Sequence, residues 1–295
     1  MAKSNVIPIP RRRRQQSPLT VYLHTLAPSG QRSIKSLLKT AIALIDPQAT
    51  IESFDWSSLR YEDMVQIRYQ LLNDGKSLHT VNTTLAALRG IVRTTFNMGL
   101  LDADTLLRVI SIKSVKGESL PAGRALSKQE VSQLLKMSRK GKDLISIRNC
   151  AMLYLLIYTG VRRDELVNLK VSDYDPKNHT LVVRLGKGRR QRKIPLTKQV
   201  EDKLIKWMKM LSKCNTALFS RILKNNTIST KKLSTQSVYN VVVEYSMMAK
   251  IERCTPHDLR RTFITQKLQG GSDVIQVRKL AGHSDLHTTL LYDRR

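Results

Sequence analysis

The sequence is poor in acidic residues and in cysteine. It has 23 Asp and Glu against 51 Lys and Arg, and three cysteines in 295 residues. The cysteines are Cys150, Cys214 and Cys254, and neighbouring ones are 40 or more positions apart. This spacing matches neither a disulfide framework nor a metal site, and it fits a reducing compartment.

Long apolar runs are also missing. The apolar uncharged run Asn149 to Val161 holds 13 residues, whereas a helix needs roughly 20 to cross a bilayer. The N-terminus carries four arginines at 11–14 but no apolar segment ahead of a small-residue cleavage site, so it does not resemble a secretory signal. These absences predict a soluble cytoplasmic protein without a membrane partner.

The excess of basic residues points to a polyanionic partner. The formal net charge is +28 at pH 7, far beyond what solubility requires. Nucleic acid is the polyanion that such a charge most directly indicates. The length allows two compact domains, each with its own core.

Changes in composition divide the chain into four segments. Residues 1–18 combine prolines with the arginine run and lack apolar periodicity, which predicts a flexible basic arm. Residues 19–112 are predicted to be a helical domain. Residues 113–125 contain glycine and proline without an apolar stripe and are predicted to be a linker. Residues 126–295 form the second predicted domain.

Helical periodicity predicts four helices in the first domain. The first begins near Ser29 and carries an apolar stripe from Ile34 to Ile45. The other three cover Tyr61 to Leu72, Ser77 to Met98 and Asp102 to Ile110. Basic residues lie on their polar faces. A solvated face explains such a scatter equally well, but the net charge favours DNA contact, and Arg89 and Arg93 are the candidates.

The second domain is predicted to mix helices with a hairpin. Leu144 to Thr159 is apolar on nearly all sides and is predicted to be a buried central helix. Thr180 to Leu185 and Gln191 to Leu196 read as two strands joined through residues 186–190. Another predicted helix starts at the capping box Ser127–Glu130. Further helices are predicted for Lys198 to Leu211 and Ser234 to Lys250, and one starts at Thr255 with Pro256 in its first position. The last two run from a Ser272 cap to Ala281 and through a segment bearing Tyr292.

Six residues in this second domain suggest chemistry. They are Arg162, Lys187, His257, Arg260, His283 and Tyr292. Each has a simple structural explanation when taken alone: Arg162 can pair with Glu165, and a lone tyrosine commonly packs its ring and wets its hydroxyl. Their shared order and spacing are more informative than any single one.

The motifs are Thr159-Gly-x-Arg-x-x-Glu-Leu166, Gly-Lys187-Gly in the hairpin, His257-x-x-Arg260, Gly-His283, and Tyr292 nine positions later. In this order they resemble the tyrosine recombinase family, the phage-integrase and Xer-type site-specific recombinases. The motifs cover about residues 126 to 292, and the helical N-terminal part is similar to the core-binding domain of the family by architecture only. The resemblance implies a mainly α protein: a four-helix, SAM-like core-binding domain followed by a mixed α/β catalytic domain with a small antiparallel sheet.

The resemblance also implies a role for each of the six residues. Arg162 and Arg260 would clamp the phosphate, Lys187 would protonate the leaving 5′ oxygen, His257 would act as base or hydrogen-bonding partner, His283 would donate to a phosphate oxygen, and Tyr292 would be the nucleophile. The intermediate would be a covalent 3′-phosphotyrosyl bond, and each step would exchange one phosphoester for another. No cofactor is therefore expected.

The residue types suit this chemistry. Two arginines can neutralise a phosphodiester with paired donors and stay charged at any working pH. The sequence shows no carboxylate cluster with magnesium character. Gly186-Lys187-Gly188 lacks the preceding glycine of a nucleotide-binding loop, so neither metal nor ATP is expected. The other hairpin cations, Arg189, Arg190 and Arg192, are candidates for DNA contact or for a merely solvated face.

Two rival functions stay open at this point. A type IB topoisomerase shares similar catalytic chemistry but relaxes supercoils without joining two partners. A DNA-binding regulator could keep the fold and lack the reaction, but the presence of all six residues argues against it, since a regulator has no need of the complete set.

The resemblance implies a recombinase of a bacterial mobile element that acts on specific sites in double-stranded DNA and is associated with the nucleoid, with accessory DNA-bending proteins as further partners. Three residues follow Tyr292, whereas family members usually continue into a segment that docks on a neighbouring protomer. Either the chain stops early or its protomers join through other surfaces. We expect a monomer in free solution and a tetrameric synapse on DNA.

Overall fold

The computed structural model describes residues 16–117, 123–184, 191–283, 285 and 287–290, apart from the side chains of Ser29, His287 and Thr288. The chain divides into two compact units, Met1–Leu120 and Pro121–Arg295. The division falls inside the segment predicted as a linker, and the finer bounds of the four predicted segments stay predictions. Nearly all of the predicted basic arm lies outside the described residues.

The described part of the first unit holds five helices. They are α1 (Pro18–His24), α2 (Pro28–Ala43), α3 (Tyr61–Asn73), α4 (Leu78–Asn97) and α5 (Ala103–Ser111). The four predicted helices correspond to α2 through α5. The additional helix α1 starts where Ser17 accepts a hydrogen bond from the Thr20 amide and Pro18 takes the first helical position. Seven residues are too few for apolar periodicity to reveal them.

The core of the first unit lies around α4. Fully buried residues of α4 include Leu85, Leu88 and Ile91, which belong to one cluster with Leu38 of α2 and Ile67 of α3. The chain after α5 is tied to the same helix, because the Asn82 side chain donates to the Val115 carbonyl at 3.0 Å and accepts from its amide at 2.8 Å. The first residues of the predicted linker are therefore fixed to the helical unit.

The second unit is built on a buried central helix. Its helices are α6 (Lys128–Ser138), α7 (Leu144–Thr159), α8 (Arg163–Leu166), α9 (Lys198–Met208), α10 (Thr235–Met248), α11 (Pro256–Gln269), α12 (Val274–Ala281) and α13 (His287–Leu290). As predicted, α7 is buried on nearly all sides, and it packs against α6, α9 and α11. Leu153, Leu155 and Leu156 are fully buried there.

Two small antiparallel sheets flank the helices. The first has strands β1 (Tyr174–Asp175), β2 (Thr180–Val183) and β3 (Arg192–Pro195) in sequence order. The predicted hairpin is β2 and β3, with Leu181 opposite Ile194 and Val183 opposite Arg192. The second sheet, β4 (Ser220–Ile222) with β5 (Ile228–Lys232), was not predicted because its strands are short and largely polar.

Capping residues determine where several helices of the second unit start. Ser127 and Thr255 cap α6 and α11 as predicted, and Ser234 caps α10; each accepts from an amide in the first turn. The predicted Ser272 cap of α12 is wrong by one position, because the Asp273 side chain accepts from the Gln276 amide. Across the residues that the structure describes, no helix is long and apolar enough to cross a membrane.

Candidate active site

Arg162 lies at the point where the central helix ends. Helix α7 is terminated by Gly160, whose φ of 61° is left-handed and whose missing side chain leaves room for the Phe263 ring. Arg162 then caps α8, and its amide donates to Glu165 Oε2 at 2.8 Å. Its guanidinium donates to Glu165 Oε1 at 3.1 Å and to the Gly282 carbonyl at 3.0 Å. The side chain is still 42% exposed, so it stays partly accessible to a ligand.

Arg260 is held by two carbonyls from distant parts of the chain. It lies on α11 and is 4% exposed. Its Nη1 donates to the Gly160 carbonyl at 2.6 Å and its Nη2 to the Ala281 carbonyl at 2.7 Å. Arg162 and Arg260 therefore bind neighbouring carbonyls where α12 ends, those of Gly282 and Ala281. The two arginines predicted as a clamp are brought together by the fold.

Glu165 is the buried acceptor of the site. Its side chain is 3% exposed, and both oxygens accept hydrogen bonds from Arg162 and Arg192. Burial opposes its ionisation, but the bonds and charges of Arg192 and Arg162 prevail and lower its pKa to about 2. Glu165 is thus an anion at any working pH.

Arg192 lies in the site and not on the surface. It begins β3, and its side chain is 12% exposed. The guanidinium donates to both Glu165 oxygens at 2.9 and 2.7 Å, and Nε donates to the Leu280 carbonyl at 2.8 Å. The prediction of Arg192 as a DNA contact is therefore not supported, because its donors are directed inward. Strand alternation could have revealed this, since Arg192 shares its face with the buried Ile194.

His283 directly follows the turn that both arginines bind. It is 9% exposed, and its Nδ1 lies 2.8 Å from Thr289 Oγ1 on α13. Burial, followed by the charges of Arg260, Arg162 and Arg192, lowers its pKa to about 4. The imidazole is therefore neutral near pH 7 and has one N–H to donate.

His257 lies in the first turn of α11, one turn before Arg260. Thr255 and Asp258 form a capping box there: the Asp258 carboxylate accepts from the Thr255 amide at 2.8 Å. The His257 side chain is exposed. Partial desolvation and then the charge of Arg260 lower its pKa, while Asp258 acts in the opposite direction. A neutral imidazole facing two arginines is suited to accept a proton or a hydrogen bond.

Two of the six predicted catalytic residues lie outside the described residues. In sequence, Lys187 lies between β2 and β3, together with the predicted DNA contacts Arg189 and Arg190, and Tyr292 follows α13. The described flanks nevertheless enter the site: Arg192 on the hairpin side, and Thr289 through its bond to His283. The positions of Lys187 and Tyr292 stay predictions.

The two predicted DNA contacts on α4 differ in their surroundings. Arg93 is exposed. Arg89 is half-buried and donates to the Ile112 carbonyl at 2.8 Å. In the described ranges, no three His, Cys, Asp or Glu residues are grouped so that they could hold a metal ion.

Comparison with known proteins identifies the family. Residues 124–295 match the phage integrase family. Tyrosine recombinase XerC of Alcanivorax borkumensis is 31% identical over 255 residues, which cover 84% of this chain and 80% of that protein. Tyrosine recombinase XerA of Pyrococcus furiosus is 31% identical over 232 residues, which cover 79% and 75%.

Solved structures share the fold. The Tn1549 transposon integrase in complex with circular intermediate DNA aligns with a TM-score of 0.66 at 18% identity over 95% of both chains. A lambda integrase dimer bound to a COC′ core site aligns with a TM-score of 0.69 at 15% identity, over 94% of this chain and 95% of that one. These similarities confirm the predicted fold class, and the named relatives confirm the predicted enzyme class, a site-specific recombinase that transfers DNA strands. The chain belongs to the phage integrase family of tyrosine recombinases.

Proposed function

We propose that this recombinase cuts and rejoins double-stranded DNA at specific sites through a covalent 3′-phosphotyrosyl intermediate on Tyr292. The observation that carries the proposal is the pair of arginines, Arg162 and Arg260, anchored on the carbonyls of Gly160, Ala281 and Gly282. Rigidly held guanidinium groups are suited to the non-bridging oxygens of a phosphodiester. The net charge of +28 favours DNA as the polyanion.

The first chemical step exchanges one phosphoester for another. The Tyr292 hydroxyl oxygen forms a bond to phosphorus while the bond from phosphorus to the 5′ oxygen breaks. His257 accepts the phenol proton, and Lys187 gives a proton to the leaving 5′ oxygen, so that charge balances. Arg162, Arg260 and the N–H of His283 stabilise the charge that gathers on the phosphoryl oxygens. A partner 5′ hydroxyl then attacks phosphorus while the bond from phosphorus to the Tyr292 oxygen breaks. Lys187 takes the proton of the attacking hydroxyl, and His257 returns a proton to the Tyr292 oxygen.

The pKa shifts agree with these roles. Without a phosphate the pKa of both histidines is lowered and the neutral form is favoured, because they are partly desolvated and face arginines. An anionic phosphate placed between the arginines and His283 raises the pKa of the imidazole and strengthens its hydrogen bond. Binding of the scissile phosphate is therefore coupled to the protonation of the site.

A covalent-trapping assay tests the proposal. The cognate site is first selected from random duplexes by binding, and a nicked copy is then incubated with the enzyme, so that the short 5′ fragment diffuses away. Wild type is expected to form an adduct that survives denaturation, and Tyr292→Phe is expected to bind the site without forming one. The matched control is Tyr69→Phe, which alters a tyrosine that is 64% exposed on α3 and should leave the adduct unchanged.

Each other result decides against part of the proposal. Binding without any adduct in wild type would favour a silent DNA-binding regulator. Relaxation of supercoiled DNA without joining of two differently labelled sites would favour a topoisomerase. An adduct that persists in Tyr292→Phe would assign the nucleophile to another residue.

The assembly and biological setting form the finer part of the proposal. We expect a monomer without DNA and a tetramer on two paired sites, and sedimentation with and without the selected duplex measures both. A stable tetramer without DNA would contradict this. If the enzyme serves a bacterial mobile element, the selected site should recur at the ends of the DNA segment that carries its gene.

A further inference from the structure

Glu165 has more positively charged partners than its single negative charge can neutralise. One buried carboxylate accepts from two guanidinium groups, Arg162 and Arg192, and the three side chains together carry a net charge of +1. Arg192 is the better placed of the two partners: it makes two bonds to the carboxylate and is 12% exposed, while the Arg162 side chain makes one and is 42% exposed. Glu165 is thus paired mainly with Arg192.

Arg192 also holds the backbone that carries the rest of the site. Its Nε donates to the Leu280 carbonyl at 2.8 Å. Gly282, two residues on, has a φ of 68°, and a Cβ there would lie 2.7 Å from Arg192 Nη1. The turn that binds Arg162 and precedes His283 is therefore packed directly on the Arg192 guanidinium. A lysine cannot replace it, because three donors in one plane are in use.

We propose that Arg192 is a positioning residue of the phosphate clamp. It neutralises Glu165 and fixes the turn after α12, so that the charge of Arg162 is left for the scissile phosphate. This inference rests on the proposed function, in which Arg162 binds that phosphate.

Removal of Arg192 would change the clamp in a defined way. Arg162 and Glu165 would then form a neutral pair, and the carboxylate would compete with the phosphate for the Arg162 donors. The charge of Arg260 and the cations away from this turn are unchanged. The rate of cleavage should therefore fall far more than the affinity for the duplex, which depends on many phosphate contacts.

The first test compares Arg192→Met with a matched variant, Arg148→Met. Arg148 is also buried, at 7% exposure, and its guanidinium binds Asn149 and the Ser220 carbonyl. It lies near the start of α7, 14 residues before Arg162 and at the opposite end of that helix. Cleavage of the nicked site is measured at saturating enzyme, and duplex affinity and thermal unfolding are measured in parallel.

We expect Arg192→Met to cleave about 100-fold more slowly than wild type, the size of loss that a misplaced catalytic group produces. Arg192→Lys should recover little of this rate. Arg148→Met should lose unfolding temperature to a similar extent but keep the cleavage rate per bound enzyme. If the two methionine variants lose cleavage in proportion to their loss of folded protein, Arg192 is only a structural residue.

A second variant tests the charge argument directly. Glu165→Gln combined with Arg192→Met removes the competing anion and restores a net charge of +1 on Arg162. The double variant should cleave faster than Arg192→Met alone, by about tenfold, which is within the coupling of residues in contact. An additive or worse loss would overturn the proposal.

A modified substrate distinguishes a role of Arg192 in the clamp from an indirect effect on Lys187 in the hairpin. A 5′-bridging sulfur replaces the leaving oxygen and makes a leaving group that needs no proton. The sulfur substrate should rescue Lys187→Ala, whose role is protonation, and should not rescue Arg192→Met. Rescue of both would place the effect of Arg192 on the hairpin lysine and contradict the clamp role. A wild type without any adduct would instead refute the proposed function itself.

Discussion

The two units of the molecule treat charged side chains differently. In residues 16–117 every Asp, Glu, Lys and Arg is at least partly exposed, and the buried polar residues there are Thr84 and Thr95. The described part of the second unit buries seven charged residues: Arg148, Glu165, Asp173, Glu201, Asp258, Arg260 and Arg261. Burial of an ion costs several kcal/mol unless its partners compensate.

The difference indicates two kinds of electrostatic function. The first unit is stabilised by apolar burial, and its charges stay in water where a polyanion can reach them. The second unit holds ions in fixed orientations, most densely around Glu165 and Arg260. Substitution of a charged residue should therefore change affinity in the first unit, and catalysis or folding in the second.

The largest effect is expected at Arg260. Arg260→Lys keeps the charge but cannot donate to the Gly160 and Ala281 carbonyls and to a phosphate in one plane. Adduct formation should slow by about 1,000-fold, the upper range for loss of one preorganised donor group. Single-turnover cleavage at saturating enzyme measures this. Arg93→Lys on α4 is the control that should cleave normally, and wild-type rates in Arg260→Lys would show that a point charge suffices.

Much of the second unit is predictable because its signals are local. A continuous apolar run specified α7, and Ser127, Ser234 and Thr255 marked helix starts by their own hydrogen bonds. Helix α1 and the strands β4 and β5 escaped prediction because they are short, and α1 also depends on its contacts with α4. Local patterns do not report such contacts.

Prediction of the site was limited in the same way. Motif spacing identified Arg162, His257, Arg260 and His283, which the structure brings together. It placed Arg192 on a basic surface, since five of its neighbours in the hairpin are also Lys or Arg. Only the buried face of β3 and the carboxylate of Glu165 reveal where its guanidinium points.

The next largest effect concerns the left-handed turn after α7. Gly160→Ala adds a Cβ that meets the Phe263 ring at a φ of 61°. Left-handed strain of about 1–2 kcal/mol and crowding of about 1–3 kcal/mol should together lower stability by about 3 kcal/mol. Gly75→Ala in the first unit is the matched control: its φ is 68° but nothing lies within 4 Å, so only about 1 kcal/mol should be lost. Denaturant unfolding compares them, and equal losses would mean that the Phe263 contact yields freely.

A smaller effect is expected from acid. His283 has a pKa of about 4 in the folded protein, whereas an unfolded histidine titrates near 6.5. Between these values the unfolded state binds more protons, so stability should fall as pH decreases, by about 2 kcal/mol from pH 7 to pH 5 for this residue. Glu165 does not interfere, because its lowered pKa acts below the ordinary range of a glutamate.

Urea unfolding at pH 5, 6 and 7 measures the effect in wild type and in His283→Gln. The variant should lose the part of the pH dependence that belongs to His283 and keep the part due to His257, whose pKa is lowered in the same direction. Identical pH dependence in both proteins would show that the pKa of His283 is the same in the folded and the unfolded state. The first unit buries no histidine among its described residues, so no buried histidine there makes its stability depend on pH.

The smallest effects are expected from substitution of two neighbouring arginines of α4, Arg89 and Arg93. Arg93 is exposed, whereas Arg89 is bound to the Ile112 carbonyl. If both arginines meet DNA phosphates, each alanine variant should lower the slope of log affinity against log salt by about one. The structure favours a different result for each: Arg93→Ala should lower the slope and weaken binding several-fold at low salt, whereas Arg89→Ala should lower the unfolding temperature with little change in slope. Equal slopes for Arg93→Ala and wild type would remove α4 from the DNA interface, because an exposed cation that meets no phosphate releases no counterion.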